Sequence, residues 1–142
     1  MTCEISFYQY DDLLARSLAP IVIKSLEDKK KVLILCESEK QIKEVDSTLW
    51  SYGRNKFIPH ATILDKDFDI PRQPVLITHN QENLSQADYL VFLTEPKTEF
   101  VEQFARAFYF YGESGGENAK QISKSLKPKN SFMKQDGKWI KA

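Results

Sequence analysis

The chain has 142 residues, 42% apolar and 28% charged, with 20 Lys plus Arg balancing 20 Asp plus Glu. That length supports one globular domain with its own core, and zero formal net charge disfavours a protein that wraps duplex nucleic acid across a broad cationic face. Nine Phe, six Tyr and two Trp exclude a disordered composition, and no apolar run approaches the ~20 residues that span a bilayer.

Cys3 to Tyr10 is rich in β-favouring residues and predicts a first strand. From Asp11 or Asp12, Leu14, Leu18, Val22 and Leu26 recur at four-residue spacing and predict a helix. Pro20 interrupts it: either the helix kinks there or a second helical piece begins near Ala19. Val32 to Cys36 is a continuous apolar run of buried-strand length, so the first three elements read as strand, helix and parallel strand. Cys36 and the distant Cys3 form no CxxC pattern, and the first twenty residues show no secretory signal, which together predict reduced thiols and a cytoplasmic location.

Ser38 and Gln41 form a capping-box pattern ahead of the helical stripe Ile42, Val45, Leu49 and Trp50, with Gly53 as the expected stop. Phe57 to His60 follows, biased toward extended geometry by Pro59, and an acidic loop runs from Asp65 to Pro74. Val75 to Thr78 and Tyr89 to Leu93 predict two more short buried strands. Phe100, Val101, Phe104, Phe108 and Tyr111 predict one long helix, capped by Thr98 and closed by Gly112. Ser114 and Glu117 open a further helix bearing Ala119, Ile122 and Leu126, and Pro128 stops it. Ser131 to Met133 and Lys138 to Ile140 pair as a hairpin around Asp136-Gly137. The expectation is a single α/β domain over residues 1–142, a three-layer sandwich with a mostly parallel, Rossmann-like sheet.

A phosphate-binding α/β domain needs glycines and a lysine in its strand-to-helix loops, yet the segments after the first two strands, YDDLLA and ESEKQ, have no glycine and carry carboxylates. No nucleotide loop, cofactor or metal is expected; His60 and His79 are nineteen residues apart with no cysteine at ligand spacing. A small hydrolase or nucleotide-binding enzyme using His60 or His79, beside a nucleophile such as Ser85 or Cys36, is the competing reading. The balanced charge is a cancellation. Residues 114–142 hold seven lysines against Glu117 and Asp136, a net of +5, and the rest of the chain is −5. Within this basic end, Lys120, Lys124 and Lys127 share one helical stripe, separate from the core-facing Ala119, Ile122 and Leu126.

Several strings, in order, resemble the chi subunit family of bacterial DNA polymerase III: VLILCESEKQ from Val32, DSTLW ending at Trp50, FIPH ending at His60, QPVLIT from Gln73, Phe100 to Gly112, and Asn118 to Trp139. The resemblance implies an α/β subunit without enzymatic activity, in the replisome. Its implied partners are the acidic, phenylalanine-ending tail of single-stranded-DNA-binding protein and the psi subunit or another clamp-loader subunit, with DNA contacted mostly indirectly. It implies a tail site at Lys120, Lys124, Lys127 and Phe132, and a partner-subunit patch at Trp50, Phe57, Pro59 and His60. Lysines stand here where the family carries arginines, and a lysine does not make the bidentate carboxylate contact of a guanidinium.

Overall fold

The computed structural model describes residues 3–10, 14–51, 61–64, 74–83, 85–112, 115–126, 128–135 and 138–141. Its elements are β1 (Glu4–Gln9), α1 (Leu14–Glu27), β2 (Val32–Leu35), α2 (Glu39–Ser51), β3 (Ala61–Thr62), β4 (Val75–Thr78), β5 (Tyr89–Phe92), α3 (Thr98–Val101), β6 (Arg106–Tyr111), α4 (Gly116–Leu126), β7 (Asn130–Gln135) and β8 (Lys138–Lys141). The eight strands form one sheet in the order β3-β4-β2-β5-β6-β1-β7-β8. All neighbours are parallel except the closing β7–β8 hairpin.

Side chains alternate across each strand and sort into two cores. Ile5, Phe7, Leu33, Leu90, Phe92, Ala107 and Tyr109 pack with α3 and with Ala119, Ile122 and Leu126 of α4. Val32, Ile34, Val75, Val91, Phe108 and Phe110 pack with Leu18 and Val22 of α1 and with Ile42, Val45 and Leu49 of α2. The three-layer α/β sandwich follows: α1 and α2 on one face, α3 and α4 on the other. Burial on both faces is why β2 reads as an unbroken apolar run and β4 as one closed only by Thr78, with every residue of each buried.

The long helix expected over residues 98–111 is absent. Only Thr98–Val101 is helical, its N-cap is Lys97 rather than Thr98, and Arg106–Tyr111 is a strand. The run Ala107 to Phe110 belongs in the middle of the sheet, paired with β5 on one side and β1 on the other. The helical spacing of Phe100, Phe104 and Phe108 was fortuitous: Phe100 meets Phe104 edge-on within the short turn, while Phe108 alternates with Tyr109 across the sheet.

Pro20 lies inside one continuous α1, on its exposed side. α1 closes with Lys29 in the left-handed region (φ 60°), the Lys30 amide donating to Ser25 O and the Lys29 amide to Leu26 O. At α2 the Ser38 hydroxyl accepts from the Gln41 amide at 3.3 Å, and the Gln41 side chain reaches back to the Glu37 amide at 2.6 Å. The pattern is a capping box displaced by one residue at its return contact. β3 adds a short edge strand beyond β4, after the Phe57 to His60 stretch. The expected stop at Gly53 and the Ser114 cap lie outside the described residues.

Candidate functional site

α4 joins β6 to β7 and passes over β1, so one of its flanks looks toward β5 and α3 and the other toward the terminal hairpin. Asn118 and Gln121 line a cleft of about 250 Å³ with Glu37, Leu93, Thr94, Glu95 and Tyr109. Ser125 lines the neighbouring hollows against Thr98 and Val101 of α3. Lys120, Ser123 and Lys124 lie on the opposite flank by the 100° step of the helix. Both lysines are exposed, while Ser123 donates its hydroxyl to Lys120 O at 2.7 Å.

The 250 Å³ cleft sits outside the carboxyl ends of β2 and β5, where α/β sheets of this kind hold their ligands. Here that crevice presents the carboxylates of Glu37 and Glu95, which repel a polyphosphate, and its Tyr109 hydroxyl is held above the usual phenol range by burial, with Tyr111, Tyr10 and Glu95 adding to the effect.

The groups of the competing enzymatic reading are apart in character. Ser85 is fully buried, its hydroxyl without a hydrogen-bond partner, whereas His79 is exposed just past the end of β4. Cys36 is 1% exposed; burial first and Glu44 second push its thiol up to about 12, and burial with Glu4 pushes Cys3 up to about 11. Both thiols are protonated near neutrality, the wrong state for a nucleophile. Among the described residues, no group of three or more His, Cys, Asp or Glu is placed to hold a metal ion, and no helix is long and apolar enough to cross a membrane.

The tail-site residues do not all converge. Lys120 and Lys124 share the hairpin-facing flank of α4. Phe132 pairs with Tyr8 across β1–β7 and stacks on it, ring centroids 5.1 Å apart. Tyr8 packs against the core beneath α1 and α2, so Phe132 stands on the face of the sheet opposite α4. There Tyr8 also stacks on Phe110 at 5.2 Å and meets Trp139 edge-on at 5.1 Å, an aromatic row that fastens the hairpin to β1. Lys127 lies outside the described residues, as do Phe57, Pro59 and His60; Trp50 lies in α2, with its side chain outside the described set.

Sequence reasoning did not single out Met133 and Ile140. Met133 follows Phe132 and therefore points to the α4 side of β7, and Ile140 is its cross-strand partner on β8. They are the exposed large hydrophobic residues of the described chain, at 40% and 47%. The signal was present as period-two alternation within SFMKQ, but reading it required knowing which face of β7 is covered.

A family model described as DNA polymerase III chi subunit, HolC, matches residues 1–126. The chain is 33% identical over 81 residues to DNA polymerase III subunit chi of Haemophilus influenzae, a match that covers 57% of this chain and 56% of that protein. It is 26% identical over 88 residues to the probable DNA polymerase III subunit chi of Rickettsia prowazekii, covering 62% and 52% respectively. Each match thus spans about half the relative's length.

Proposed function

We infer the function from the premise that the chain belongs to the family of DNA polymerase III chi subunits. We propose that it is a non-catalytic subunit of the bacterial DNA polymerase III holoenzyme, linking the clamp loader to single-stranded-DNA-binding protein in DNA replication. The link is the acidic C-terminal tail of that protein, held at a few cations beside an apolar surface.

The observation that carries this reading is the pair Lys120 and Lys124, exposed one turn apart on a single flank of α4 within a segment of net charge +5. Two ammonium groups at that spacing suit successive carboxylates of an extended acidic peptide, and Lys127 continues the stripe in sequence. A localised cationic stripe explains how a chain of zero net charge engages an acidic partner without the broad basic surface that duplex binding requires. Phe132, on the other face, serves the site by holding the hairpin against β1. The second partner, psi or another clamp-loader subunit, is assigned to Trp50, near the end of α2, and to Phe57, Pro59 and His60, which follow it in sequence. DNA is reached mostly through these proteins, and the replisome is the place of action.

The test is a titration with a synthetic peptide of several aspartates ending in a phenylalanine carboxylate. The wild-type chain binds it with micromolar affinity that falls as salt rises, and Lys120→Glu combined with Lys124→Glu weakens binding on the order of tenfold or more while flattening the salt dependence. Undiminished binding by the double variant would remove these lysines from the site, and absence of binding by the wild-type chain would overturn the reading.

A further inference from the structure

We propose that the exposed cross-strand pair Met133 and Ile140 is the apolar half of the acidic-peptide site on α4, forming with Lys120 and Lys124 one groove between the helix and the β7–β8 hairpin. This rests on the reading above and adds to it the residues that receive the peptide's apolar end.

Three placements carry the inference. The first is facial: Tyr8 and Phe132 lie on the α1 side, and alternation sends Gln9 and Met133 to the α4 side, where Ile140 joins them. The second is lateral. Asn118, Gln121 and Ser125 line clefts shared with β5 and α3, which leaves the Lys120–Lys124 flank turned toward β7 and β8.

The third placement is height along the sheet. Leu126 packs beside Ile5, and α4 runs back from the top of β6 toward that level. At ~1.5 Å per helical residue, Lys120 stands about 9 Å above Leu126, close to the level of Tyr8 at ~3.3 Å per strand residue. Met133 pairs with Gln9, one residue higher. Helical side chains lean toward their own N-terminus, so the Lys120 ammonium is carried further toward Met133.

Exposed large hydrophobics are unremarkable singly, but these two are register partners whose shared face is bordered by lysines. Charge selects the occupant. Lys120 and Lys124 line one wall and Lys129 is exposed just before β7, whereas Lys141, the register partner of Phe132, stands on the other face; Glu117, three residues before Lys120, is the carboxylate on the helix flank. An anionic peptide with an apolar end satisfies both halves of such a groove. A neutral apolar segment would leave the ammonium groups without counter-charges, and a wholly acidic one would leave the apolar pair uncovered.

The same peptide, and a variant ending in serine, are titrated against wild-type chain, Met133→Ser/Ile140→Ser, and Lys120→Glu/Lys124→Glu. The apolar double variant binds the phenylalanine-ending peptide roughly tenfold more weakly, with the salt slope unchanged and the melting temperature preserved, since both positions are exposed. The serine-ending peptide distinguishes little between wild type and that variant, because the apolar contact is already gone. The lysine variant loses salt dependence toward both peptides. Wild-type affinity retained by Met133→Ser/Ile140→Ser, or an equal loss toward both peptides, overturns this inference while leaving the lysine site standing. Failure of the wild-type chain to bind either peptide overturns both.

Discussion

The interior strands β4-β2-β5 and the β7-β8 end of the sheet are built on opposite principles. At β4-β2-β5 the strands are four residues long, sealed on both faces, and their core side chains are 0–1% exposed. At β7-β8 no described side chain belongs to either buried core; Phe132 and Trp139 are half-buried, and Met133 and Ile140 are open to water. Charge divides the same way, with the acidic excess in residues 1–113 and the basic excess in the last 29. The interior region is a support whose composition is set by burial. The other spends little of its apolar surface on the core and leaves it, with lysines, at the surface.

Mutation at matched aromatic positions breaks this comparison most strongly. Phe92, fully buried in the centre of the sheet and stacked on Tyr109 at 5.0 Å, should cost about 3–5 kcal/mol of stability when replaced by alanine. Phe132→Ala should cost about 1–2 kcal/mol, since a half-buried ring forfeits less transfer energy and leaves a site that water can enter. Chemical denaturation of both variants decides it, and equal losses would mean that the hairpin is as integral to the core as β5. The lysine reversal and the Met133/Ile140 replacement come next in size, and they are expected to act on peptide affinity while leaving stability alone.

A smaller effect separates the sealed interior by pH. The Cys36 thiol ionises near 12 in the folded chain against 9.0 for its ordinary value, so the unfolded chain loses that proton first as pH rises. Its contribution to stability is complete below about pH 9 and declines from there toward pH 12. Cys36→Ala should therefore flatten the alkaline arm of the stability profile, and an unchanged arm would show that Cys36 is reached by water. Smallest of all, Lys29→Gly relieves a left-handed residue at the end of α1 and should stabilise by roughly 0.5–1 kcal/mol in thermal melts.

What was legible in the sequence tracks the strength of local patterns. VLIL and VLIT are strands because no helix of four residues buries every side chain, and Ile42, Val45 and Leu49 mark a helix because their spacing matches its pitch. Residues 100–111 misled because an aromatic-rich run satisfies period 2 and period 3.6 together, and only pairing with β1 and β5 selects between them. The site divided likewise. That Lys120 and Lys124 share one exposed helix flank was legible from helical spacing alone, since a helix face is a local property. Phe132 was grouped with them by proximity in sequence, and the sheet separates the two.

By itself the sequence determined the α/β class, the buried setting of Cys36, the family, and the concentration of positive charge in the last helix and hairpin. Each of these depends on composition or on residues within a few positions of one another. The tertiary structure alone decided that β6 is a strand, that Phe132 and α4 lie on opposite faces, and that Met133 and Ile140 share the lysine side. Those depend on strand order and register, where a shift of one residue exchanges the faces of a sheet, and no local pattern carries that parity.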